Sequence, residues 1–377
     1  MVITVDKEML LKSINIADSI ISSKNINTIL ANCLFNISVN EIEILSTDNE
    51  IAIRTRLDAI SDSDGVFAVN GKKFSQILKE LPNDELQLII NKSYMLDVKS
   101  KAKDIKGHYS LIGQSGQEYP EIPAFDNNNV IELEQSIFKE MFKKVIHAAS
   151  SDVIKPVFNG VFIIMDQEGK VTIVATDSRR LSIITRKIEN KIDLGEGIII
   201  PLKTVNEFLR LLENSGRCRF SYNNNQCFLK LSNSEVISRI VDGHFPNYKQ
   251  VIPKTQTIEA IIETKKFIDS LRRAMIFTRE PAHKIVLHFS KDKLVIEANT
   301  PELGECEEEL PIESNSNEKI SLGINCQFLL DTLKEIDSFS VKCGMSGHMS
   351  PVTIMPEDDS DYISVIMPIQ IKSSQSD

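Results

Sequence analysis

The sequence lacks tryptophan altogether, and aromatic residues make up only 6% of the chain. Proteins that bind single-stranded nucleic acid usually stack the bases on aromatic side chains that alternate with basic ones. No such alternation accompanies the lysines and arginines of this sequence. Single-strand stacking and direct base readout are therefore disfavoured.

Long apolar runs and paired cysteines are also missing. No stretch reaches the roughly 18 consecutive apolar residues that a membrane helix needs. The first eight residues include acidic and basic side chains, so we expect no signal peptide. The six cysteines form no C-x-x-C pair and no Cys/His pair at zinc spacing. Reduced, idle thiols are the simplest interpretation, and we expect a cytoplasmic protein.

Motifs of catalysis are absent as well: the sequence contains no Walker A loop, no G-x-G-x-x-G and no H-E-x-x-H. Asp358-Asp359 lies in a loop rich in Pro, Asp and Ser, which favours solvated side chains over a metal site. Thr47-Asp48 and Thr176-Asp177 are typical turn formers. His147 has no obvious carboxylate or cysteine partner in the sequence, so a surface or interfacial histidine is favoured over a general base. We therefore expect a protein that is not an enzyme and needs no metal or cofactor.

The chain does contain an internal repeat. Four patterns recur three times in the same order, with successive copies 123 to 131 residues apart. This period is too long for a solenoid, whose units have about 20–50 residues, and long enough for a domain with its own core. The patterns are an amphipathic helix (Leu11–Ala17, Phe142–Ala148, Leu271–Phe277), a strand ending in a polar turn (Ile44–Asp48, Ile173–Asp177, Val295–Thr300), a second helix (Phe74–Leu81, Val205–Leu212, Leu329–Ile336) and a Ser-x-Ile strand (110–112, 238–240, 364–366).

The repeat predicts three similar domains, with boundaries at 1–125, 126–253 and 254–377. Pro-containing segments at 118–129 and 243–253 separate the copies, as linkers between domains should. Within each copy a strand and a helix are followed by several short β-branched strands, a second helix and further strands. We therefore expect an α+β fold with antiparallel sheets and two helices per domain.

The charge of the chain, −10 in total, is unevenly distributed. The predicted helices hold 15 Lys and Arg against 10 Asp and Glu, whereas the remainder holds 28 against 43. The good helix propensity of Lys and Arg is one explanation. A surface of helix faces that attracts phosphate is the other. The helical windows counted are 7–21, 72–80, 134–149, 203–213, 264–278 and 326–336.

Three stretches resemble signature segments of the bacterial sliding clamp, the β subunit of DNA polymerase III. They are Ala175-Thr-Asp-Ser-Arg-Arg-Leu181, Val241-Asp-Gly-His-Phe-Pro-Asn-Tyr-Lys-Gln-Val-Ile-Pro253 and Val365-Ile-Met-Pro-Ile-Gln370. The resemblance spans the whole chain and fits its length and its threefold repeat. It implies a processivity factor for DNA replication, with a head-to-tail homodimer closed into a ring. The helices would line the hole around double-stranded DNA, and the sheets would form the outside.

The resemblance also implies a pocket between the second and third domains. It would accept short linear peptides from the replicative polymerase, the clamp loader, and repair and mismatch factors. Apolar residues would receive Leu or Phe anchors, and Arg180 would hold peptide carbonyls or an acidic residue. Carried over by motif, the pocket comprises Val157, Phe158, Thr176, Ser178, Arg179, Arg180, Leu181, Pro246, Gln250, Val251, Val365, Met367, Pro368 and Ile369.

Three positions of these stretches depart from the family pattern. Ser178 stands where the family usually has Gly, Gln250 replaces a frequent Arg, and Gln370 replaces a basic residue of the tail. The departures leave the apolar part of the pocket intact and leave its peptide preference open. Without the resemblance, the same residues would more simply be read as packing at a domain seam.

The resemblance implies two further surfaces. One faces the duplex through basic residues on or beside the helices, and the other joins the first domain of one copy to the third domain of the other. The DNA candidates are Lys24, Lys72, Lys73, Lys143, Lys144, Lys155 and Lys203. The candidates at the dimer seam are Tyr109, Leu111, Ile276 and Phe277.

Two alternatives remain beside the clamp. An enzyme that processes DNA ends, such as a nuclease, would need a cluster of metal-binding carboxylates that the sequence does not reveal. An interaction scaffold unrelated to DNA would need no basic surface. Enclosure of DNA distinguishes the clamp from both of these classes.

Overall fold

The computed structural model describes residues 1–21, 28–102, 107–189 and 195–371. Within these ranges six α-helices occur, and each of their ends lies within three residues of the end predicted from the sequence. Two short 3-10 turns lie at Thr28–Ala31 and Tyr248–Gln250. The helices are α1 (Lys7–Asp18), α2 (Gly71–Glu80), α3 (Gln135–Ile146), α4 (Leu202–Leu211), α5 (Thr264–Met275) and α6 (Cys326–Leu333).

The strands fall into three sets, one for each predicted repeat. The first repeat contains β1 (Val2–Asp6), β2 (Cys33–Ile37), β3 (Glu41–Thr47), β4 (Ile51–Asp58), β5 (Ile60–Ser61), β6 (Gly65–Val69), β7 (Glu85–Ile90), β8 (Met95–Ser100) and β9 (Tyr109–Ser115). The second contains β10 (Ile131–Glu134), β11 (Gly160–Met165), β12 (Lys170–Thr176), β13 (Arg180–Lys187), β14 (Ile198–Pro201), β15 (Arg217–Tyr222), β16 (Gln226–Lys230) and β17 (Ser234–Arg239). The third contains β18 (Ile258–Glu263), β19 (Lys284–Phe289), β20 (Lys293–Thr300), β21 (Gly304–Pro311), β22 (Glu313–Ser314), β23 (Ile320–Asn325), β24 (Ser340–Met345), β25 (Val352–Pro356) and β26 (Tyr362–Ile366).

Each repeat has two four-stranded arms with the same strand order. Arm A is β1-β7-β8-β9 in the first repeat, β10-β15-β16-β17 in the second and β18-β24-β25-β26 in the third, in the order of strand pairing. Arm B is β6-β2-β3-β4, β14-β11-β12-β13 and β23-β19-β20-β21. All the pairings within these arms are antiparallel. The threefold repeat and the α+β class predicted from the sequence are therefore confirmed.

The sheets continue across the predicted repeat boundaries. Arm B of the first repeat pairs with arm A of the second through β4 and β17, where Ala52 lies opposite Ile237. Arm B of the second repeat pairs with arm A of the third through β13 and β26, where Leu181 lies opposite Val365. We call these pairings the first seam and the second seam. In the described residues β21 lies at the end of its sheet, with β20 as its only strand partner.

This continuity groups the chain into two compact units. Unit 1 consists of Met1–Gln135 and Arg210–Ile240, and unit 2 of Ser136–Leu209 and Val241–Asp377. Each unit contains one complete seam. The second repeat contributes residues to both units, so the two compact units do not coincide with the three predicted domains. The domain boundaries at 125 and 253 therefore stay predictions.

The helices form where apolar residues recur at helical spacing and a polar residue caps the first turn. In α1 the Asp6 carboxylate accepts a hydrogen bond from Met9 N at 2.8 Å, which satisfies a backbone donor that the helix leaves free. Leu10, Ile14 and Ala17 are fully buried on one face of the helix. Burying a side chain as large as Leu or Ile stabilises the fold by about 1.5–3 kcal/mol, so this face fixes the helix on the sheets of unit 1. No helix among the described residues is long and apolar enough to cross a membrane.

Candidate functional site

A cavity of about 220 Å³ lies over the second seam, within unit 2. Its floor is a cluster of buried residues in which Leu181 of β13 and Val365 of β26 pack with Phe162 and Val174. The wall is mostly apolar, as a site that binds apolar peptide anchors requires. The lining residues are Phe158, Thr176, Ser178, Arg179, Arg180, Leu181, Pro246, Asn247, Tyr248, Val251, Val365 and Met367.

The aromatic residues of the second linker hold one wall of this pocket. Phe245 stacks on Phe162 with ring centroids 5.0 Å apart, and Tyr248 lies 6.2 Å from Phe162 and 6.3 Å from Phe245. Burial raises the pKa of Tyr248, since the charged phenolate would lose its hydration. Val251 and Met367, which are 45% and 41% exposed, leave the rim accessible.

The turn that precedes β13 has a fixed geometry. Thr176 Oγ1 donates to Arg180 O at 2.6 Å, and Asp177 Oδ1 accepts from the backbone of Arg179 and of Arg180 at 2.9 Å. The interpretation of Thr176-Asp177 as turn formers is confirmed. Ser178 has φ +76°, in the left-handed region that favours glycine. This conformation explains why Gly is frequent at the position in the resembling family.

The side chain of Arg180 pairs with residues of the protein itself, although we had expected it to hold a peptide. Its guanidinium lies 3.0 Å from Asp177 and 2.7 Å from Asp331, and 4.3 Å over the ring of Phe328. The side chain is only 12% exposed. These internal partners occupy the guanidinium that we had expected to hold a peptide. Arg179, by contrast, is exposed at the rim.

His147 lies beneath the pocket wall. Its Nε2 is 3.1 Å from Ser182 Oγ and 3.3 Å from Thr332 Oγ1, while its Nδ1 is buried without a partner in the described part of the chain. Burial lowers the pKa of His147 to about 4, and the charge of Arg180 acts in the same direction. His147 is therefore a neutral, half-buried residue. The sequence had suggested a surface or interfacial histidine, and His147 indeed joins β13 to α6.

The structure brings together most, but not all, of the residues expected in the pocket. Val157 lies outside the lining and packs, partly buried, against the cluster that forms the floor. Gln250 is exposed and, with Pro368 and Ile369, lies outside the lining. Ile369 instead pairs with the backbone of Gly323. Sequence reasoning missed Asn247 and Tyr248, although both lie inside the signature stretch 241–253.

The helices carry a net positive charge, whereas the chain as a whole is acidic. With the observed bounds they hold 14 Lys and Arg against 7 Asp and Glu. Lys72, Lys73, Lys155 and Lys203 are exposed. Lys24 lies outside the described residues. Sequence reasoning named no residue of α5, which carries the exposed pairs Lys265-Lys266 and Arg272-Arg273. Three of these four side chains are engaged in ion pairs.

Two of the expected DNA contacts are engaged in ion pairs. Lys143 is 60% exposed and lies 3.3 Å from Glu335. Lys144 is only 13% exposed and lies 2.8 Å from Glu140 and 3.4 Å from Asp359. Its charge is neutralised within unit 2, so Lys144 is a poor candidate for a phosphate contact.

The four residues expected at the dimer seam differ in exposure. Ile276 is 70% exposed and Phe277 is half-buried after α5. On β9, Tyr109 is half-buried and Leu111 is buried in the core of unit 1.

The described residues contain no group of three or more His, Cys, Asp or Glu side chains that could hold a metal ion. Asp359 binds Arg186 at 2.6 Å, which lowers the pKa of its carboxyl against the opposing effect of burial. Cys33, Cys218, Cys227, Cys326 and Cys343 are buried, and burial raises their pKa. Protonated thiols of this kind are unreactive.

Three α+β repeats joined by continuous sheets, with an apolar pocket at a seam, have the architecture of a DNA clamp. The family models of the DNA polymerase III beta subunit match the chain in order. The N-terminal domain covers residues 1–123, the central domain 132–247 and the C-terminal domain 249–370. The chain belongs to this family, that of the beta sliding clamps.

Individual relatives agree along the full length. The chain is 27% identical to the beta sliding clamp of Halalkalibacterium halodurans, with 97% of this chain and 98% of that protein covered. The identity with the clamp of Bacillus subtilis is 24%, over 97% and 99%. The crystal structure of the beta subunit from Thermotoga maritima matches with a TM-score of 0.90 and 26% identity, over 98% and 99%. The clamp fold and the expectation of a non-catalytic accessory subunit are confirmed, and no comparison supports an end-processing enzyme.

Proposed function

We propose that two copies of this chain close a ring around double-stranded DNA and tether the replicative polymerase through the pocket at the second seam. The same pocket would serve the clamp loader and the repair and mismatch factors in turn. Such a protein works in the cytoplasm, where bacterial DNA is copied. The observation that carries the proposal is the match of all three clamp domains, in order, to a chain whose helices are basic and whose remainder is acidic.

Enclosure explains how weak contacts suffice. A ring that cannot leave the duplex sideways needs no tight grip, so phosphates can pass along the helix faces while the tethered polymerase stays at the primer end. Tethering to the enclosed ring gives the polymerase a very high effective concentration at the primer end. Exposed lysines such as Lys72, Lys73 and Lys203 suit this role, because phosphate attraction is independent of sequence and weakens with salt.

The pocket suits short peptides with apolar anchors. Leu181 and Val365 provide a floor, Met367 provides an adaptable rim, and the exposed guanidinium of Arg179 can pair with an acidic residue at the edge. Arg180 would contribute indirectly, because its bonds to Asp177 and Asp331 fix the turn that forms the wall.

The edge strand β21 supports closure of the ring by a second copy. Its counterparts β4 and β13 pair with β17 and β26, the last strands of arm A. By the same rule β21 would pair with β9 of a partner chain, since β9 is the last strand of arm A in the first repeat. Tyr109 and Leu111 lie on β9, and Ile276 and Phe277 precede β20 and β21 in the third repeat.

Charge supports the same pairing. The exposed residues of β21 include Glu305, Glu307 and Glu309. Lys99 is exposed on β8, the strand next to β9, and Lys103 and Lys106 of the segment between these two strands lie outside the described residues. Opposite charges across an interface favour the correct register.

Retention on circular DNA tests the proposal. After loading onto a nicked circle by a clamp loader, the protein should remain bound during gel filtration at high salt and be lost when the circle is cut once. Retention that is equal on circular and linear DNA would indicate adhesion and contradict enclosure. A triple charge reversal at Lys72, Lys73 and Lys203 should reduce retention on the circle only modestly, because topology and not affinity holds the ring.

A further inference from the structure

We infer that the first seam is a second peptide cleft of the same design as the pocket, and that the chain's own linker, residues 120–125, occupies it as an internal ligand. The ligand class is a short peptide with an aliphatic anchor and an aromatic anchor three residues later. The inference goes beyond the proposed function and concerns residues of unit 1 alone.

The walls of the two seams correspond strand by strand. In the first seam Ala52 of β4 lies opposite Ile237 of β17, and in the second Leu181 of β13 lies opposite Val365 of β26. The turns that precede β4 and β13 also share their conformation, with φ +75° at Asn49 and +76° at Ser178. The first seam therefore has the framework of a pocket.

The two linkers begin at corresponding places. Tyr119 is buried against a cluster that includes Leu34 and Leu45, which face each other on β2 and β3. Phe245 stacks on Phe162 of β11, the strand that corresponds to β2. These two aromatic residues, each followed by proline, fix the alignment of the linkers.

Six residues later the linkers diverge. The second linker forms the 3-10 turn Tyr248–Gln250, which leaves Val251 45% exposed at the pocket rim. The first linker has no helix or strand at 120–127 and brings Phe125 to the corresponding position, where it is only 7% exposed. Phe125 packs in one cluster with Ala52 and Ile237, the two residues that form the floor.

The contacts of the first linker are those of a bound peptide. Arg54 Nη2 donates to the carbonyl oxygens of Ile122 and Pro123, at 3.2 and 3.3 Å. Arg54 itself is held at 2.6 Å by Glu235. An arginine of β4 thus does for the linker what we had expected Arg180 to do for a peptide.

Aromatic contacts complete the anchoring of the linker. Phe125 meets the ring of Phe228 edge-on at 6.1 Å, and the cations of Arg219 and Lys230 lie 5.2 and 5.6 Å from its centre. Such cation–π contacts favour an aromatic side chain over an aliphatic one. The first seam is therefore selective for the residue that fills it.

Supplying the linker as a separate peptide tests the inference. The probe is a fluorescein-labelled peptide of residues 120–127, Pro-Glu-Ile-Pro-Ala-Phe-Asp-Asn, added to the full-length chain. Substitution Phe125→Ala empties the anchor position, whereas Phe125→Leu keeps it filled. By fluorescence anisotropy we expect saturable binding to the Phe125→Ala protein, at least tenfold tighter than to wild type or Phe125→Leu. The same peptide with alanine in place of its phenylalanine should not bind.

Equal binding of the probe to wild type and Phe125→Ala would assign it to the pocket that is already accessible, and would overturn the inference. So would absence of binding to a variant whose circular dichroism shows that it is folded. Should Phe125→Ala fail to fold, Phe125→Val takes its place, because it copies Val251 of the second linker. None of these readouts uses a polymerase peptide or DNA, so failure here leaves the proposed function standing.

Discussion

His147 connects two segments that build the pocket wall. It bonds Ser182, which follows Leu181 on β13, and Thr332, which follows the Arg180 partner Asp331 on α6. Because this contact lies inside unit 2 and uses a neutral ring, its contribution to stability depends on pH.

The free energy of unfolding should therefore fall on acidification through His147. Its folded pKa of about 4 lies below the ordinary 6.5, so the unfolded chain binds the proton more readily. The contribution is fully present above pH 6.5 and is lost as the pH falls towards 4. We expect a loss of roughly 2–3 kcal/mol in that window. Urea unfolding from pH 7.5 to 4 should show a flatter profile for His147→Gln than for wild type. Substitution of the exposed His348 in the same way is the control for a change at a surface histidine.

Met367 allows a test of the pocket at a single side chain. It is 41% exposed and lines the cavity, so Met367→Ala should remove apolar contact with a ligand without leaving a hole in the core. We expect about tenfold weaker binding of a polymerase-derived peptide, which corresponds to roughly 1.4 kcal/mol. Met349→Ala, at 52% exposure and away from the cavity, is the matched control. If calorimetry shows that Met367→Ala binds the peptide as tightly as wild type, Met367 does not contribute to peptide binding.

At the scale of elements, the tail after β26 is the part of the pocket that can be deleted. β26 ends at Ile366 and pairs with both β13 and β25, so truncation must begin after that residue to spare the sheet. Deletion of 367–377 should abolish peptide binding and leave the melting temperature within a few degrees of wild type. The deletion removes the hydrogen bond from Ile369 N to Gly323 O, 2.8 Å long, so we expect a small decrease in the melting temperature. Undiminished peptide affinity would exclude the tail from the site.

Helices and repeats could be predicted from the sequence because they depend on local spacing. Apolar residues three or four apart and three copies of four patterns indicated all six helices to within three residues at each end. The partners of charged side chains could not be predicted, because they come from distant segments. Asp331 occupies Arg180 across 151 residues, and Asp359 binds Lys144 across 215.

The candidate pocket was only partly predictable for the same reason. Most of its apolar residues lie in the signature stretches and could be named directly, although Tyr248 was missed and Phe158 lies outside those stretches. The conformation of each linker could not, since it depends on whether one residue, Phe125 or Val251, is buried at a seam. Nothing in the residues around those two positions distinguishes a filled cleft from an accessible one.

At the scale of the whole molecule, the acidic edge strand should control assembly. Glu305→Lys with Glu307→Lys would place cations on β21 opposite the basic segment near β9 of a partner. We expect light scattering to give about twice the chain mass of 42.4 kDa for wild type and the single-chain mass for this variant. Glu189→Lys with Glu196→Lys changes the same charge at exposed positions of the second repeat and should remain dimeric. A monomeric wild type at micromolar concentration would contradict the ring.

The floor of the pocket has a thermodynamic consequence. Leu181 and Val365 belong to two different strands, and their pairing is what joins the second repeat to the third. A ligand that touches both residues binds only while the strands stay paired, so it must shift the opening equilibrium of the second seam towards the closed form. The bound ligand then also stabilises the strand pairing that forms its own binding site. A chain with a peptide bound in the pocket should resist heat and proteolysis at this seam more than the free chain does.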